Sequence, residues 1–229
     1  ATTPRLRTLG RDLLGLALIA LAGLAGYVLF PDNLAFLTRV ISVALLVLSL
    51  DLIVGYCGIA SLGQGALYGA GAYAAGIACL HGVTEPFLLI LIGAVAGAAM
   101  GLLMGAVMLR SHGLPQLVLS IAIVQLLHEA ANKASSVTGG SDGLSGMIPA
   151  PLFGVFEFDL WGRAAYLFGL ALLILVFAAL RFVVRSPFGM VCRGLKEDPL
   201  RISARGIRAF PVLLKMFAAA GAGAGTGGA

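Results

Sequence analysis

An all-α, polytopic transmembrane bundle is the fold class this sequence predicts, on three observations. Of its 229 residues 60% are hydrophobic and 11% charged, where a soluble domain carries about 25% charged residues. The apolar residues gather in runs of about 20, the length a helix needs to cross a bilayer. Glycine is very frequent, at 32 residues, without a collagen-like period, as expected where membrane helices pack backbone to backbone. The net charge of +5 does not point to nucleic acid as a partner, because the cations flank the apolar runs. A topogenic role beside the lipid bilayer explains them better.

The first run, residues 12–30, follows Arg5, Arg7 and Arg11. A signal peptide opens in the same way, but this run is long enough to span and no small-residue cleavage pattern follows it. It is expected as the first transmembrane helix. Further spans are expected over 35–54, 60–80, 87–109, 114–131 and 162–181, with a seventh from Phe210. Pro31-Asp32-Asn33, Thr84-Glu85-Pro86 and His112-Gly113-Leu114-Pro115 supply the breaks between them. Residues 1–229 are read as one transmembrane domain. Its last segment, KMFAAAGAGAGTGGA, starts as a helix and then turns to Gly and Ala. Such a tail predicts a poor helix and a chain incomplete at its C-terminus.

A basic segment, residues 182–209, separates the last two spans. Seven cations lie from Arg181 to Arg208, with Glu197-Asp198 as the one acidic pair. An N-terminus inside the cell puts eleven cations in the cytoplasm against Arg39, Lys133 and Arg163 outside, with Lys215 within the last span. The positive-inside rule selects that orientation. A charged, helix-prone loop on the cytoplasmic side suits the docking of a soluble partner.

Three patterns within the spans carry further expectations. Gly93, Gly97, Gly101 and Gly105 repeat every fourth residue, so they share one helical face and let another backbone come very close. In the third span, Gly65, Gly69 and Gly76 with Ala72 are expected to form a small-residue face, and Ser61, Gln64 and Tyr68 a polar one. Glycines at 55, 58 and 63 predict a broken entry to that span, and irregular backbone at depth needs burial or a wet cavity. The polar face is thus a candidate lining of a translocation path, or a set of bonds to neighbouring helices. In the fifth span Gln125, His128, Glu129 and Asn132 form a stripe, readable as a solvated helix end or as part of a pathway.

Other chemistry finds little support. Cys57, Cys79 and Cys192 match no metal or redox spacing and are expected at different depths, without a disulfide framework. Adjacent His128-Glu129 is not a metal-ligand spacing. Thr138 to Gly146 reads as turn scaffolding rather than a phosphate cradle, since no GK[ST] ending occurs in the chain. No nucleophile, base and acid converge by spacing, so the chain is not expected to be an enzyme.

Three blocks in order carry a family resemblance: Gly55-Tyr56-Cys57-Gly58 through SLGQGALYGAGAY, then VTGGSDGLSG, then SPFGMVCRGLKEDPLRISARGI. Together they resemble the inner-membrane permease subunit of branched-chain amino-acid ABC importers, of the LivM type. The resemblance covers most of residues 40–217. It implies a multi-pass subunit of the bacterial inner membrane, working with a second permease subunit as homologous heterodimer partner, two ATP-binding subunits and an extracytoplasmic solute-binding protein. ATP would be bound by the partners, with no cofactor in this chain. It implies also that 193–206, with Arg193, Glu197, Asp198, Ala204 and Gly206, forms a coupling helix that docks into the ATPase and moves as a rigid lever. Pro199 departs from the usual pattern and fits only the first turn of a helix, so the short helix is expected to begin at Asp198 or Pro199. Gly206 is expected to end it in a left-handed cap. A secondary transporter driven by an ion gradient is the alternative, since broken Gly-rich helices mark those folds too.

Overall fold

A computed structural model describes residues 4–111, 113–144 and 163–229, with side chains from residue 14 onward. His112, Ser145, Gly146 and the first residue of the expected 162–181 span lie outside the described residues. Among the described residues all regular structure is helical.

Each expected span is met by a helix. These are α1 (Pro4–Leu29), α2 (Leu34–Leu50), α3 (Gln64–Leu80), α4 (Pro86–Met108) and α5 (Leu114–Lys133). A short turn α6 (Ser135–Thr138) precedes α7 (Arg163–Arg185), α8 (Pro187–Glu197), α9 (Pro199–Ala204) and α10 (Ala209–Gly228). Proline opens α4, α5, α8 and α9, where its missing N–H costs nothing and its fixed φ suits the first turn. Five helical stretches among the described residues are long and apolar enough to cross a membrane: Pro31–Tyr56, α4, α5, α7 and α10. The chain is a multi-pass membrane protein.

The Gly- and Ala-rich tail corrects the expectation of a dissolving helix. α10 is helical to Gly228, and Ala220, Gly221, Gly223, Ala224 and Gly225 are buried in it. It packs against α2, α3, α4 and α7, and its first turns also meet α8 and α9. In hydrocarbon a backbone group has no water to bond, so the helix is the only economical state even for glycine. The missing side chains then become an advantage, because neighbouring backbones can approach.

The partner of the α4 glycine face is this tail. Gly93 faces the Gly225 carbonyl and Ala229, Gly97 faces Gly221 and Gly225, and Gly101 and Gly105 face Phe217. Phe217, Gly221, Gly225 and Ala229 repeat every four residues themselves, so two matched ridges interlock. A methyl group on Gly97 would stand 2.8 Å from the Gly225 Cα.

The small-residue face expected on α3 divides. Gly71, not Gly65 or Gly69, meets α10 at Gly225, while Gly228 lies against the backbone of Tyr68 and Ala72. Gly76 is buried. Gly65 and Gly69 have no atom within 4 Å of where a Cβ would be. They line a cavity of about 420 Å³ between α3 and α5, together with Tyr73, Leu127 and His128. The spacing put these glycines on one face, but only residues turned toward α10 find a partner there.

A second core joins α1, α2 and α7 through Leu34, Ile41, Leu45, Tyr166, Leu170, Leu173 and Val176. The Tyr166 hydroxyl donates to the Gly23 carbonyl at 2.7 Å, and its ring stacks on Tyr27.

Candidate functional site: the basic end of the bundle

The approach to α3 is irregular, as its glycines predict. α2 runs into a π-helical turn over Asp51–Tyr56. Residues 58–62 form no regular structure, and Gly58 holds φ +68°. Side chains of α8 lie over this segment. Lys196 Nζ donates to the Gly55 carbonyl at 2.7 Å, and the Arg193 guanidinium sits 4.8 Å from the Tyr56 ring centroid. A side chain on Gly58 would meet the Lys196 stem at 2.6 Å, which gives that glycine a second reason beyond its φ.

α8 is capped at its start by Ser186, whose hydroxyl accepts from the Gly189 amide. Gly189 rests on the Val184 backbone, and Cys192 and Leu195 are buried beneath the helix. Asp198 then breaks the chain with extended φ −150° and ψ 91°. Its carboxylate accepts from the Arg201 amide at 3.0 Å and so caps α9. The Ile202 side chain of α9 folds back over Gly194 of α8, where a Cβ would lie 2.7 Å from Ile202 Cδ1. α9 ends at Ala204 with Arg205 as its C-cap, and Gly206 follows at φ +80°, its amide donating to the Ser203 carbonyl at 2.9 Å.

Residues 193–206 are therefore two helices with a bend at Asp198 rather than one straight lever. Arg193 and Glu197 lie on α8, Asp198 at the bend, Ala204 on α9 and Gly206 beyond its end. The expected start of the short helix at Pro199 and its left-handed glycine agree with this geometry. The physical reason for the bend is that Pro199 cannot donate a backbone hydrogen bond and pushes its predecessor out of helical conformation. Glu197, Leu200, Arg201, Ser203, Ala204 and Arg205 are exposed, Leu200 to 83%. The Arg201–Asp198 ion pair at 3.7 Å is also exposed and adds little.

A six-residue helix cannot hold itself in water, so the Asp198 cap matters. Asp198→Ala is expected to cost about 1 kcal/mol locally. Trypsin should then cut after Arg201 and Arg205 several-fold faster in otherwise intact membranes, a difference that limited proteolysis measures.

The polar residues of the spans do not converge. Ser61 precedes α3 instead of lying on it; its hydroxyl accepts from the Gly63 amide at 3.2 Å and lies 3.8 Å from Met108 Sδ. Gln64 Oε1 accepts from Ser49 at 3.2 Å, while its buried Nε2 has no hydrogen-bond partner among the described residues. The Tyr68 hydroxyl bonds Ser42, and Ser42 donates to the Gly227 carbonyl at 2.5 Å. Gln125 and Glu129 lie exposed on α5, a helix packed on α3, α4 and the turn that follows it. His128 and Asn132 bond each other at 3.2 Å. In the turn after α5, Gly139, Gly140 and Gly143 all hold positive φ, which accounts for that glycine cluster as scaffolding.

The expectation of well-separated cysteines is corrected. Cys57 and Cys192 are both buried, both free, and belong to one cluster. The neighbouring Cys57 thiol holds the Cys192 thiol below its usual range although burial pushes it up. Sequence spacing could not show this, because α8 must first fold back under the end of α2. No group of three or more His, Cys, Asp or Glu that could hold a metal occurs among the described residues.

Residues 33–229 match the family described as the branched-chain amino acid transport system permease component. The chain is 26% identical over 244 residues to the high-affinity branched-chain amino acid transport system permease protein LivM of Salmonella typhimurium strain LT2. It is 25% identical over 243 residues to the LivM protein of Escherichia coli K12. Each alignment takes in 96% of this chain and 57% of the relative, so the chain spans little more than half the length of these curated relatives. No solved structure matches it. With nearly all of its membrane helices inside the matched region, from α2 through α10, the chain belongs to the branched-chain amino acid transport system permease family.

Proposed function

We propose that the chain is a membrane-spanning permease subunit of an ATP-driven importer for branched-chain amino acids. The observation that carries this reading is the family match across residues 33–229, which includes the α8–α9 segment. The names of the relatives support the substrate class. The permease performs no bond chemistry. Its work is to change shape when partner subunits bind and hydrolyse ATP.

In this reading the basic end faces the cytoplasm, with the N-terminus on the same side, as the distribution of Lys and Arg supports. The loop over 182–209 meets an ATP-binding subunit through the exposed residues of α9 and the end of α8: Arg193, Glu197, Asp198 and Ala204, with Gly206 closing the helix. Two such subunits, a second permease subunit and an extracytoplasmic solute-binding protein complete the transporter. α8 is tied to the end of α2 by Lys196 and Arg193, so a push on α9 reaches the irregular segment before α3. That segment ends at Gln64, whose buried amide nitrogen lacks a partner among the described residues and is the candidate group for contact with solute once the segment moves. Ser61 and Tyr68 support it by fixing the neighbouring helices. Gln125 and Glu129 on α5 would line the path only where a partner subunit covers that face.

Affinity capture of the chain from native membranes, with partners identified by mass spectrometry, tests this proposal. The expected result is recovery of an ATP-binding subunit that is lost when Glu197 and Gly206 are altered. Recovery of the chain alone, under conditions that keep other membrane complexes whole, would overturn it.

A further inference from the structure

The buried residues of α5, Gln116 and Ser120, both lie in its first half. Gln116 Nε2 donates to the Met108 carbonyl at 3.3 Å, and the Ser120 hydroxyl accepts from the Leu62 amide at 3.1 Å. Beyond these ties a cavity of about 420 Å³ lies between α3 and α5. Among the five long apolar stretches of the described residues, α5 is the least buried.

The face of α5 turned away from the bundle carries Val118, Ala122, Gln125, Glu129 and Lys133, all exposed and three or four residues apart. Gln125 lies in a middle turn of the helix and Glu129 one turn later. The outward faces of other spans are different. In the middle turns of α4 and α7 the large exposed side chains are Leu91, Val95 and Leu103 on one, Leu167 and Leu175 on the other. Hydrocarbon satisfies such leucines and valines, but it offers an amide or a carboxylate nothing to bond. Polar groups at membrane depth therefore turn to the bundle interior, to water or to a neighbouring helix. On α5 the interior side is already the side of Gln116 and Ser120. Val118, exposed to 67% beside Ala122, suits a packed helix better than open water.

We propose that this face of α5 seats a second permease-family subunit. The partner packs a membrane helix on Val118 and Ala122 and presents hydrogen-bond donors at the levels of Gln125 and Glu129. A small residue at Ala122 lets that helix come close. A soluble partner does not fit, because Gln125 sits in the middle of a membrane-spanning helix. Naming the partner as a permease-family chain rests on the importer reading; a protein neighbour for this face rests on the α5 pattern alone.

The test places the photocrosslinker p-benzoylphenylalanine at Ala122 or Gln125 of the full chain in native membranes, with Leu103 of α4 and Leu175 of α7 as comparison positions. All four are exposed, so none of the replacements enters a core. After near-ultraviolet irradiation, adducts are separated by size and their peptides identified by mass spectrometry. Positions 122 and 125 should give an adduct to a second chain of the permease family, about five-fold or more above positions 103 and 175. The proposal is overturned by equal yields at the four positions, by adducts to lipid alone at 122 and 125, by a link within one chain, or by a link to a protein of another kind. The adduct needs no ATP-binding subunit. Its loss with the ATP-binding subunit still captured overturns the interface alone, and its recovery without that subunit overturns the importer reading alone.

Discussion

Replacement of Gly97 by leucine is expected to prevent the chain from accumulating as a well-packed membrane protein. The position faces Gly221 and Gly225 backbone rather than a flexible side chain, so nothing nearby can swing aside. Overpacking a core costs ~1–3 kcal/mol when neighbours can yield, and a rigid backbone puts Gly97 at or above the top of that range. For a chain of this size each kilocalorie lowers the unfolding midpoint by about 2–4 °C. A loss of roughly 6–12 °C is therefore expected for detergent-solubilised protein, read by a thermal aggregation assay with size-exclusion chromatography. Gly69→Ala is the matched comparison. Gly69 has open space beside it, and alanine is the better helix former, so its midpoint should hold or rise. Equal losses in the two variants would show that the α4–α10 seam is not what holds the bundle.

The second large effect concerns Gly206. Its φ of +80° is open to glycine and strained for a β-branched residue. No atom lies within 4 Å of where its Cβ would be, so a valine there meets a backbone penalty and not a clash. A left-handed conformation costs other residues roughly 1–2 kcal/mol, which shifts the population of the correctly ended α9 by a factor of about 5–30. Gly206→Val should leave the membrane bundle intact, since α9 lies outside both hydrophobic cores. In proteoliposomes with the partner subunits, solute moved per ATP hydrolysed should fall by about five-fold or more, on the permease reading. Unchanged uptake per ATP would remove Gly206 from the coupling role.

Much of the fold was legible in the sequence because the bilayer reduces it to length and hydropathy. The expected spans over 35–54, 87–109 and 114–131 coincide with α2 and its π turn, α4 and α5 to within a few residues. The α4 glycine repeat announced a close partner without naming it. That partner was the segment read as a failing helix, because propensities measured in water undervalue glycine in hydrocarbon. The signal was available: Phe217, Gly221 and Gly225 carry the same spacing of four as Gly93 to Gly105. At the basic end, Pro199 and Gly206 act through local backbone chemistry, and both were readable from the chain. The bend at Asp198 shows how far such reading goes, since proline marked the helix start but not the turn back of Ile202 onto Gly194. The meetings of Lys196 with Gly55 and of Arg193 with Tyr56, and the place of Cys57 and Cys192 in one buried cluster, depend on how α8 folds under α2, which no spacing encodes.

The central place of α10 also bears on how the protein is made. Residues 209–228 leave the ribosome after α2, α3, α4 and α7 have already been delivered to the bilayer. Until then the glycine face of α4 has only lipid beside it, and Gly71 of α3 lacks the backbone it rests on. The earlier helices enter the membrane with the place of α10 beside α2, α3 and α4 still unfilled. The α4 seam therefore closes only once residues 209–228 have been made, and a nascent chain halted before Ala209 leaves the glycine face of α4 open to the insertion machinery.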